Sequence, residues 1–455
     1  MTSGEHTQSS GDVSRAPAAR RIASADPVVV IGAGLTGLST ALHLPQDRAV
    51  VLLERDDRVG GKARTARHEG FTFDVTGHWL HLRDDRVKAL VSDLFEPGDL
   101  VEIERRTGIY THGTMLPYPF QANLHGLPLS IVRECLVGFV EAQVAAANPD
   151  ALAPKTFADF AVARFGRGIA EHFFVPYNTK LWGTSPDALT ADWVQRFVPV
   201  PDVAQVIGGA LGLVQEGLGY NARFLYPKAG GIDALPNAMG ARLAVARPDA
   251  LKLRQQFTRV DARNRQVLVG ETWQPYSKLV STVPLPRLIA RIDGAPPEVV
   301  AAAKSLRAVG WRWLDVATKT PSPLDEHWVY VPEMDIPFFR VGIYSNALPA
   351  MAPPGCGSLY VELSDRDTPP DLPTIFKHLA AMGAITRPED VLFARMREVR
   401  CAYVMFDHAY AEATATIHAW LATQDILSTG RYGAWIYNSM EDSILLGMDA
   451  ADWAA

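Results

Sequence analysis

Residues 27–44, PVVVIGAGLTGLSTALHL, carry the strongest structural signal in this chain. A short β-branched run meets Gly32, Gly34 and Gly37, and an apolar pattern with helical spacing follows. Gly32 allows a tight turn, Gly34 lets a pyrophosphate approach the backbone, and Gly37 lets the helix pack on the strand. The amino end of the helix attracts phosphate charge. The stretch therefore predicts the strand, turn and helix of a dinucleotide site.

The next segment strengthens this interpretation. AVVLLE, residues 49–54, reads as a second strand and ends in Glu54, which follows the glycines at a spacing of about 20 residues. An acidic side chain at that point can accept hydrogen bonds from ribose hydroxyls. A glycine motif alone is weak evidence, but the strand, helix, second strand and acid occur together here.

Composition sets the class of protein. The chain has 455 residues, too many for one ordinary core, and 48% are hydrophobic. A net charge of -6 without a basic run makes nucleic acid an unexpected partner. Three scattered cysteines suit a reducing compartment, so we expect a cytoplasmic protein. We expect residues 1–26 to be a disordered leader, and no apolar run reaches the length of a membrane span.

The segment after Glu54 indicates which dinucleotide binds. Residues 55–82, RDDRVGGKARTARHEGFTFDVTGHWLHL, place a second glycine pair, Gly60 and Gly61, directly after the acidic strand. This run resembles the FAD-binding superfamily that includes amine oxidases, protoporphyrinogen oxidase and carotenoid desaturases. YSKLVSTVPLPRLI, residues 276–289, resembles that superfamily's strand returning to the nucleotide domain. The resemblance implies FAD as the cofactor.

Six later segments narrow the resemblance to one family. They are PYPFQ (117–121), FGRGIAEHFFVPYNTKLWG (165–183), WVQRFVPVP (193–201), HWVYVPEMDIPFFRVGIYSN (327–346), FDHAY (406–410) and GRYGAWIY (430–437). In this order they resemble the UDP-galactopyranose mutases, and the eukaryotic type more than the common bacterial type. The likeness extends from residue 27 to the end of the chain.

The resemblance implies a substrate and a reaction. The substrate would be a nucleoside diphosphate sugar, by default UDP-galactose, exchanged between its pyranose and furanose forms without net redox change. The N5 atom of reduced flavin would attack the anomeric carbon and expel the nucleoside diphosphate. NADPH or NADH could act as the reductant.

The same resemblance assigns roles to residues of suitable chemistry. Aromatic rings suit a nucleobase, a glutamine amide suits its edge, and arginine forks suit a diphosphate. The implied substrate-binding residues are Tyr118, Phe120, Gln121, Asn178, Trp182, Tyr330, Tyr410 and Tyr437, and those implied to act in catalysis are Arg196, Arg340 and His78. The implied cofactor-binding residues are Gly32, Gly34, Gly37, Glu54, Arg55, Gly61, Lys62, Gly77, His78, Arg431, Asn438 and Ser443.

Several positions depart from the family pattern. The usual glycine pair before the histidine is Thr76-Gly77, Ile436 replaces a basic residue, and Leu225 stands where an arginine is expected. The segment after Tyr437 is also shorter. A different sugar or reductant would be consistent with these changes.

Other interpretations stay open. Aromatic residues such as Phe120 and Trp182 are often core residues, and Arg340 could form a structural ion pair. His78 and His81 have no third ligand at a familiar zinc spacing, so we expect no metal site. A flavin-dependent oxidase or desaturase, and a non-catalytic nucleotide-binding protein, are the alternative functions. The sequence does not decide the oligomeric state, and a homo-oligomer is possible.

We expect an α/β protein with a discontinuous Rossmann-like FAD-binding domain, an inserted helical domain and an inserted, mainly antiparallel sheet domain. Thr156 and the Ser185-Pro186 pair are typical helix starts in the helical insertion. WRWLDVATKT and SLYVELS read as strands of the sheet domain. The predicted segments are 27–115, 226–305 and 400–455 for the FAD-binding domain, 116–225 for the helical domain with a mobile flap at 208–219, and 306–399 for the substrate-binding sheet domain.

Overall fold

The computed structural model describes residues 26–148, 153–191, 194, 198, 200–213, 223–364 and 367–455. Most of the predicted leader, Arg196 with most of its loop, and residues 214–219 of the predicted flap lie outside these ranges. Among the described residues, none of the helices combines the length and apolar character that crossing a lipid bilayer requires.

The strands follow one another along the described residues. In chain order they are β1 (Val28–Ile31), β2 (Val50–Leu53), β3 (Thr65–His68), β4 (Phe71–Asp74), β5 (Leu100–Glu104), β6 (Thr107–Thr111), β7 (Thr114–Pro117), β8 (Arg223–Pro227), β9 (Leu251–Lys252), β10 (Phe257–Asp261), β11 (Gln266–Val269), β12 (Thr272–Pro275), β13 (Lys278–Ser281), β14 (Ala308–Thr318), β15 (Trp328–Tyr330), β16 (Phe338–Ile343), β17 (Gly357–Leu363), β18 (Val391–Val404) and β19 (Ile426–Ser428).

The α-helices are distributed between these strands. They are α1 (Leu35–His43), α2 (Asp85–Leu94), α3 (Leu129–Ala146), α4 (Phe157–Ile169), α5 (Val175–Trp182), α6 (Val203–Ala210), α7 (Ala234–Ala246), α8 (Leu285–Ile289), α9 (Pro297–Ser305), α10 (Tyr344–Ala347), α11 (Leu372–Ala381), α12 (Tyr410–Thr423), α13 (Gly430–Gly433) and α14 (Met440–Ala454).

A parallel sheet of five strands forms the nucleotide domain, in the order β19-β13-β1-β2-β9. Alternate residues of β1 enter two different cores: Val28 and Val30 pack with α1, α7 and α14, while Val29 and Ile31 pack with α8, α9 and α12. Helices therefore cover both faces of the sheet, as parallel strands require. The strands come from distant parts of the chain, so the domain is discontinuous, as predicted.

A larger sheet of seven strands has the order β18-β14-β17-β16-β15-β6-β7, and all its pairs are antiparallel except β15 with β6. Its strands include the predicted runs WRWLDVATKT and SLYVELS. One face packs on α11. The sheet also takes β6 and β7, which precede the segment 306–399, and β18 continues beyond that segment to Val404.

The helical insertion is built from α3, α4, α5 and α6 around a phenylalanine-rich core. Thr156 caps α4 by accepting from the backbone N–H of Asp159 at 3.1 Å, which confirms the predicted helix start. Ser185-Pro186 opens only a 3-10 turn, Pro186–Ala188, because Leu189 returns to extended backbone. The predicted α/β class with its two insertions is confirmed.

Candidate active site

The nucleotide turn depends on its glycines for two different reasons. Gly32 has a φ of +99°, and a Cβ there would lie 2.3 Å from Thr282 Oγ1. A Cβ on Gly37 would lie 1.9 Å from the carbonyl oxygen of Gly32. Gly34 is different, because its added Cβ would meet nothing closer than Gly61 Cα at 3.8 Å. An added side chain would therefore clash with protein atoms at Gly32 and Gly37 but not at Gly34.

Glu54 stabilises the turn from the end of β2. Its buried carboxylate accepts from the backbone N–H of Ala33 at 2.8 Å and from that of Asp56 at 2.9 Å. Carboxylate oxygens can accept more than one hydrogen bond, so ribose contacts remain available to Glu54. Gly34 is the N-cap of α1 and supplies no capping side chain, which leaves the helix dipole open to an anion.

Basic side chains surround the second glycine pair. Arg55 is exposed and lies 3.4 Å from Asp56, while Lys62 is half-buried and its pKa is lowered by burial. Gly61 has a φ of +59°, and its added Cβ would lie 3.2 Å from Gly34 Cα. The two glycine-rich turns therefore approach each other closely.

The His78 loop is anchored from both sides. Tyr344 donates its hydroxyl to the carbonyl oxygens of Asp74 (3.0 Å) and Thr76 (3.1 Å). Thr76 has a φ of +57°, and an added Cβ on Gly77 would lie 2.5 Å from the Tyr360 hydroxyl. Thr76 therefore adopts the left-handed conformation that glycine would adopt without strain.

His78 is half-buried and its Nδ1 atom has no hydrogen-bond partner among the described residues. Burial lowers the pKa of His78 to about 4, and the nearby cations Arg431 and Lys62 act in the same direction. The imidazole is therefore neutral at pH 7 and has an unused polar atom.

The C-terminal segment brings further polar groups to this place. Arg431 donates to the carbonyl oxygen of Asn438 at 2.6 Å, and its guanidinium lies over the rings of Tyr403 and Tyr437 at 4.8 and 4.9 Å. Asn438 donates to Ser443 Oγ at 3.1 Å, while its buried Oδ1 atom has no partner among the described residues.

A dinucleotide flavin fits these residues. The open backbone at Gly34 suits a pyrophosphate, Glu54 suits a ribose, and the unpaired Nδ1 of His78 and Oδ1 of Asn438 suit a polar ring. The described residues bring together no group of three His, Cys, Asp or Glu side chains that could hold a metal ion.

One row of the large sheet forms the second half of the site. In register across four strands lie Trp313, Glu362, Arg340 and Tyr330, so their side chains share one face. Arg340 makes a bidentate pair with the fully buried Glu362, through Nη2 to Oε1 at 2.9 Å and through Nε to Oε2. The guanidinium also lies 5.6 Å from the ring centre of Trp311.

Tyrosines meet around this row from several elements. The Tyr330 ring centre lies 5.6 Å from that of Tyr118 and 5.2 Å from that of Tyr177, and the Tyr403 and Tyr437 rings stack at 5.1 Å. Burial raises the pKa of Tyr118 to about 12, and the neighbouring Tyr403 together with burial raises the pKa of Tyr437. The hydroxyls of Tyr118 and Tyr437 therefore stay protonated at neutral pH and can donate hydrogen bonds.

Other predicted substrate residues lie deeper. Phe120 is fully buried and stacks on Phe173 at 5.2 Å, and Gln121 is also buried. Asn178 donates to the carbonyl oxygen of Phe174 at 2.8 Å and accepts from Trp182 Nε1 at 3.2 Å. The structure therefore places these four side chains in or beside the helical core, and the Trp182 ring also contacts that of Tyr403 at 5.7 Å.

Tyr410 uses its hydroxyl inside the protein, donating to the carbonyl oxygen of Trp435 at 2.9 Å. Arg196 lies outside the described residues.

A cavity of about 380 Å³ opens beside Trp182, where the helical insertion meets the start of β14. Its lining consists of Trp182, Gly183, Thr184, Arg307, Ala308, Val309, Gly310, Ser364, Asp367 and Met405.

Sequence reasoning missed four residues of this site: Glu362, Tyr177, Tyr403 and Asp74. Glu362 could have been found from the alternation in SLYVELS, since it shares a face with Tyr360. Tyr177 belongs to the quoted segment 165–183. Asp74 and Tyr403 carry no local signal, because their partners come from distant segments.

Comparisons with known proteins found similar sequences and structures. Residues 35–312, more than half of the chain, match the family described as flavin containing amine oxidoreductase. Coproporphyrinogen III oxidase of Mycobacterium tuberculosis is 28% identical over 301 residues, which are 61% of this chain and 63% of that protein. The chain thus matches less than two thirds of that relative's length.

Two further matches concern a mutase. A crystal structure of reduced UDP-galactopyranose mutase superposes with a TM-score of 0.86 and 26% identity, covering 94% of this chain and 95% of the other. The Probable UDP-galactopyranose mutase of Klebsiella pneumoniae is 23% identical over 171 residues, which are 37% of this chain and 44% of that protein.

Proposed function

The chain belongs to the flavin containing amine oxidoreductase family and is a flavin-dependent enzyme, and we propose that it is a mutase of nucleoside diphosphate sugars. The proposed reaction exchanges the pyranose and furanose forms of the sugar, with UDP-galactose as the first candidate. The proposed reactive state contains reduced FAD.

One observation carries the proposal. Arg340 and the tyrosines Tyr330, Tyr177, Tyr403 and Tyr437 form one cluster. Arg431 lies over two of these tyrosine rings and also bonds to Asn438, so it links the cluster to the candidate flavin site. An oxidase of small amines or porphyrins needs no arginine ringed by phenol hydroxyls. A diphosphate does need it, because a guanidinium fork and several donors match its oxygens.

In the proposed mechanism the protein binds the substrate by its nucleoside and diphosphate. The Tyr118 ring, which carries the Arg105 guanidinium at 4.5 Å on its face, offers a flat surface to the base. Arg340, Tyr330 and Tyr437 donate to the diphosphate. Negative charge grows on this group as the bond to the anomeric carbon breaks, so these donors stabilise the leaving group.

Reduced flavin, when bound, supplies a nucleophilic nitrogen for the anomeric carbon. The neutral imidazole of His78 offers its unpaired Nδ1 to the cofactor edge, and Lys62 and Arg431 place positive charge beside it. Glu362 keeps Arg340 oriented through the bidentate pair. Tyr118, Tyr330 and Trp311 exclude water from the sugar.

A product assay under argon tests the proposal. Purified FAD-loaded enzyme, oxidised or reduced with dithionite, is given UDP-galactofuranose and UDP-galactopyranose, followed by other nucleoside diphosphate sugars. Interconversion by the reduced enzyme alone is the expected result. Absence of interconversion with every sugar would contradict it.

An oxidoreductase is the second candidate, and the 28% identity to coproporphyrinogen III oxidase favours it. This function predicts that a porphyrinogen or an amine reduces the bound flavin and that oxygen is consumed in air. The same enzyme preparation can be used to follow flavin absorbance with these compounds. Turnover there without sugar interconversion would identify the oxidoreductase.

A further inference from the structure

A buried lysine joins the helical insertion to the sheet that carries Arg340. Lys180 lies on α5 and is 4% exposed. Its Nζ atom donates to the carbonyl oxygen of Val331 at 2.8 Å and to that of Glu333 at 2.6 Å. Burying an ammonium group is costly unless it is hydrogen-bonded, so the two carbonyl contacts define where the turn after β15 can lie.

That turn connects two residues of the proposed diphosphate site. Tyr330 is the last residue of β15, Arg340 lies opposite it on β16, and the backbone N–H of Val331 donates to Phe339 O at 2.9 Å. The turn held by Lys180 is therefore the turn of the hairpin that presents both side chains. A shift of the turn would move the Tyr330 hydroxyl and the Arg340 guanidinium together.

The same turn is held from a second direction. The Glu333 carboxylate accepts from Thr111 Oγ1 at 2.8 Å and from the backbone N–H of His112. Both residues lie at the turn that joins β6 to β7. Tyr118 follows that hairpin and its N–H donates to Thr107 O at 3.1 Å. Three elements that carry tyrosines of the site thus converge on residues 331–333.

We propose that Lys180 is a positioning residue, whose contacts with Val331 and Glu333 hold Tyr330 and Arg340 at the correct distance from Tyr177 and Tyr118 to grip a nucleoside diphosphate. The proposal rests on the proposed function of this site. Lys180 itself contacts backbone and lies two residues from both Asn178 and Trp182 on the helix, so it acts through the hairpin and not on the substrate.

The charge state of Lys180 gives this positioning role a pH dependence that can be measured. Burial lowers the pKa of Lys180 to about 7, and the carboxylates of Glu333 and Asp335 oppose that effect. Loss of the proton replaces charge-assisted hydrogen bonds by weaker neutral ones. The hydrogen bonds by which Lys180 holds the hairpin turn therefore weaken as the pH rises through about 7. The last pKa of a diphosphate is about 6, so the charge of the ligand does not change above pH 7.

The test measures the dissociation constant of UDP with oxidised FAD-loaded enzyme by calorimetric titration. Lys180→Met is expected to weaken UDP binding at least about tenfold. Thr179→Val is the matched control, because the hydrogen bond of the Thr179 hydroxyl stays within the same helix, to Val175 O at 2.8 Å. Its dissociation constant should stay within about twofold of the wild type.

The pH profile is the second readout. UDP binding by the wild type should weaken about fivefold between pH 7 and 9, and Lys180→Arg, which keeps its charge, should remove that dependence. A flat wild-type profile, or a folded Lys180→Met protein with unchanged affinity, would overturn the positioning role. If the wild-type enzyme does not bind UDP at all, the proposed function fails, and the two failures are thereby distinguished.

Discussion

The three glycines of the nucleotide turn meet different neighbours, and this difference separates folding from cofactor binding. Gly32 and Gly37 are fixed by atoms of the protein itself, at 2.3 and 1.9 Å from an added Cβ. Gly34 has ordinary backbone angles, with φ at -76°, and an added Cβ there would make only an ordinary contact, 3.8 Å from Gly61 Cα. Packing requires the first two to be glycine, whereas the proposed contact with a pyrophosphate would require the third.

Gly34→Ala should therefore leave the fold intact and weaken FAD binding about tenfold or more, since the methyl group would occupy the space of the pyrophosphate. Gly37→Ala is the control and should destabilise the protein by about 1–3 kcal/mol through overpacking. Thermal unfolding of apoprotein and a flavin titration measure the two effects. Equal loss of stability in both variants would contradict this separation.

Asp74 is a buried acid at the centre of a long-range network. It accepts from Thr65 Oγ1 at 2.6 Å, from the Tyr226 hydroxyl and from the N–H of Ile232 at 3.2 Å. Burial raises the pKa of Asp74 from 3.8 to about 7, against the effect of these three donors. The folded protein thus binds the Asp74 proton more tightly than the unfolded chain does.

The sign of the pH dependence follows from linkage. The contribution of Asp74 to stability is complete below pH 3.8 and is lost as the pH rises towards 7. Asp74→Asn cannot titrate, so its melting temperature relative to the wild type should rise between pH 5 and 7 and level off above pH 7. Thermal unfolding across this range measures it, and a difference that is constant or falls would refute the assignment.

Local sequence signals predicted single residues where the cause is local. The positive φ at Gly32, +99°, and the helix cap at Thr156 were predicted from local motifs, and both are confirmed. Two partners of Asp74, Tyr226 and Ile232, come from segments more than 150 residues away, so no short motif reveals them. The roles assigned to the site residues from resemblance stay predictions.

The strand register determines which charged side chains share one face of the large sheet. Two arginines pair with buried carboxylates on the same face of the large sheet: Arg340 with Glu362, and the more exposed Arg397 with Asp315 at 3.1 Å. Only Arg340 is surrounded by the tyrosines of the proposed diphosphate site. Both are arginine–carboxylate pairs, but the Arg340 pair is bidentate and lies among the tyrosines.

This difference supports a matched experiment. Arg340→Lys should lower kcat/KM for the sugar nucleotide at least about tenfold, because lysine keeps the charge but loses the fork. Arg397→Lys should leave kcat/KM within about threefold. Steady-state kinetics of reduced enzyme measure both. Similar losses in the two variants would mean that Arg340 acts only as a structural ion pair.

The elements themselves were largely predictable. Alternating apolar runs predicted β14 and β17, and the glycine motif predicted β1 and α1. The joining of β6 and β7 to the large sheet was not predictable, because parallel pairing of β15 with β6 links residues more than 200 positions apart. The helix expected after Ser185 fails locally at Leu189.

The whole molecule combines a parallel nucleotide-binding sheet with a larger sheet that carries the cluster of Arg340 and tyrosines. The first is common to many flavin-dependent enzymes, so fold alone does not define the reaction. The second defines the substrate in the proposed function. A mutase and an oxidase built on this framework differ in one chemical event, which is cleavage of the anomeric carbon–oxygen bond.

That event can be observed directly with UDP-galactopyranose that carries oxygen-18 between the anomeric carbon and the β-phosphorus. If the bond breaks reversibly in the pocket, the β-phosphate rotates and the label moves to non-bridging positions, which phosphorus NMR detects. We predict such scrambling with dithionite-reduced enzyme and none with oxidised enzyme. Bound but unscrambled UDP-galactose, with enzyme shown to be reduced, would contradict the proposed mutase reaction on this sugar.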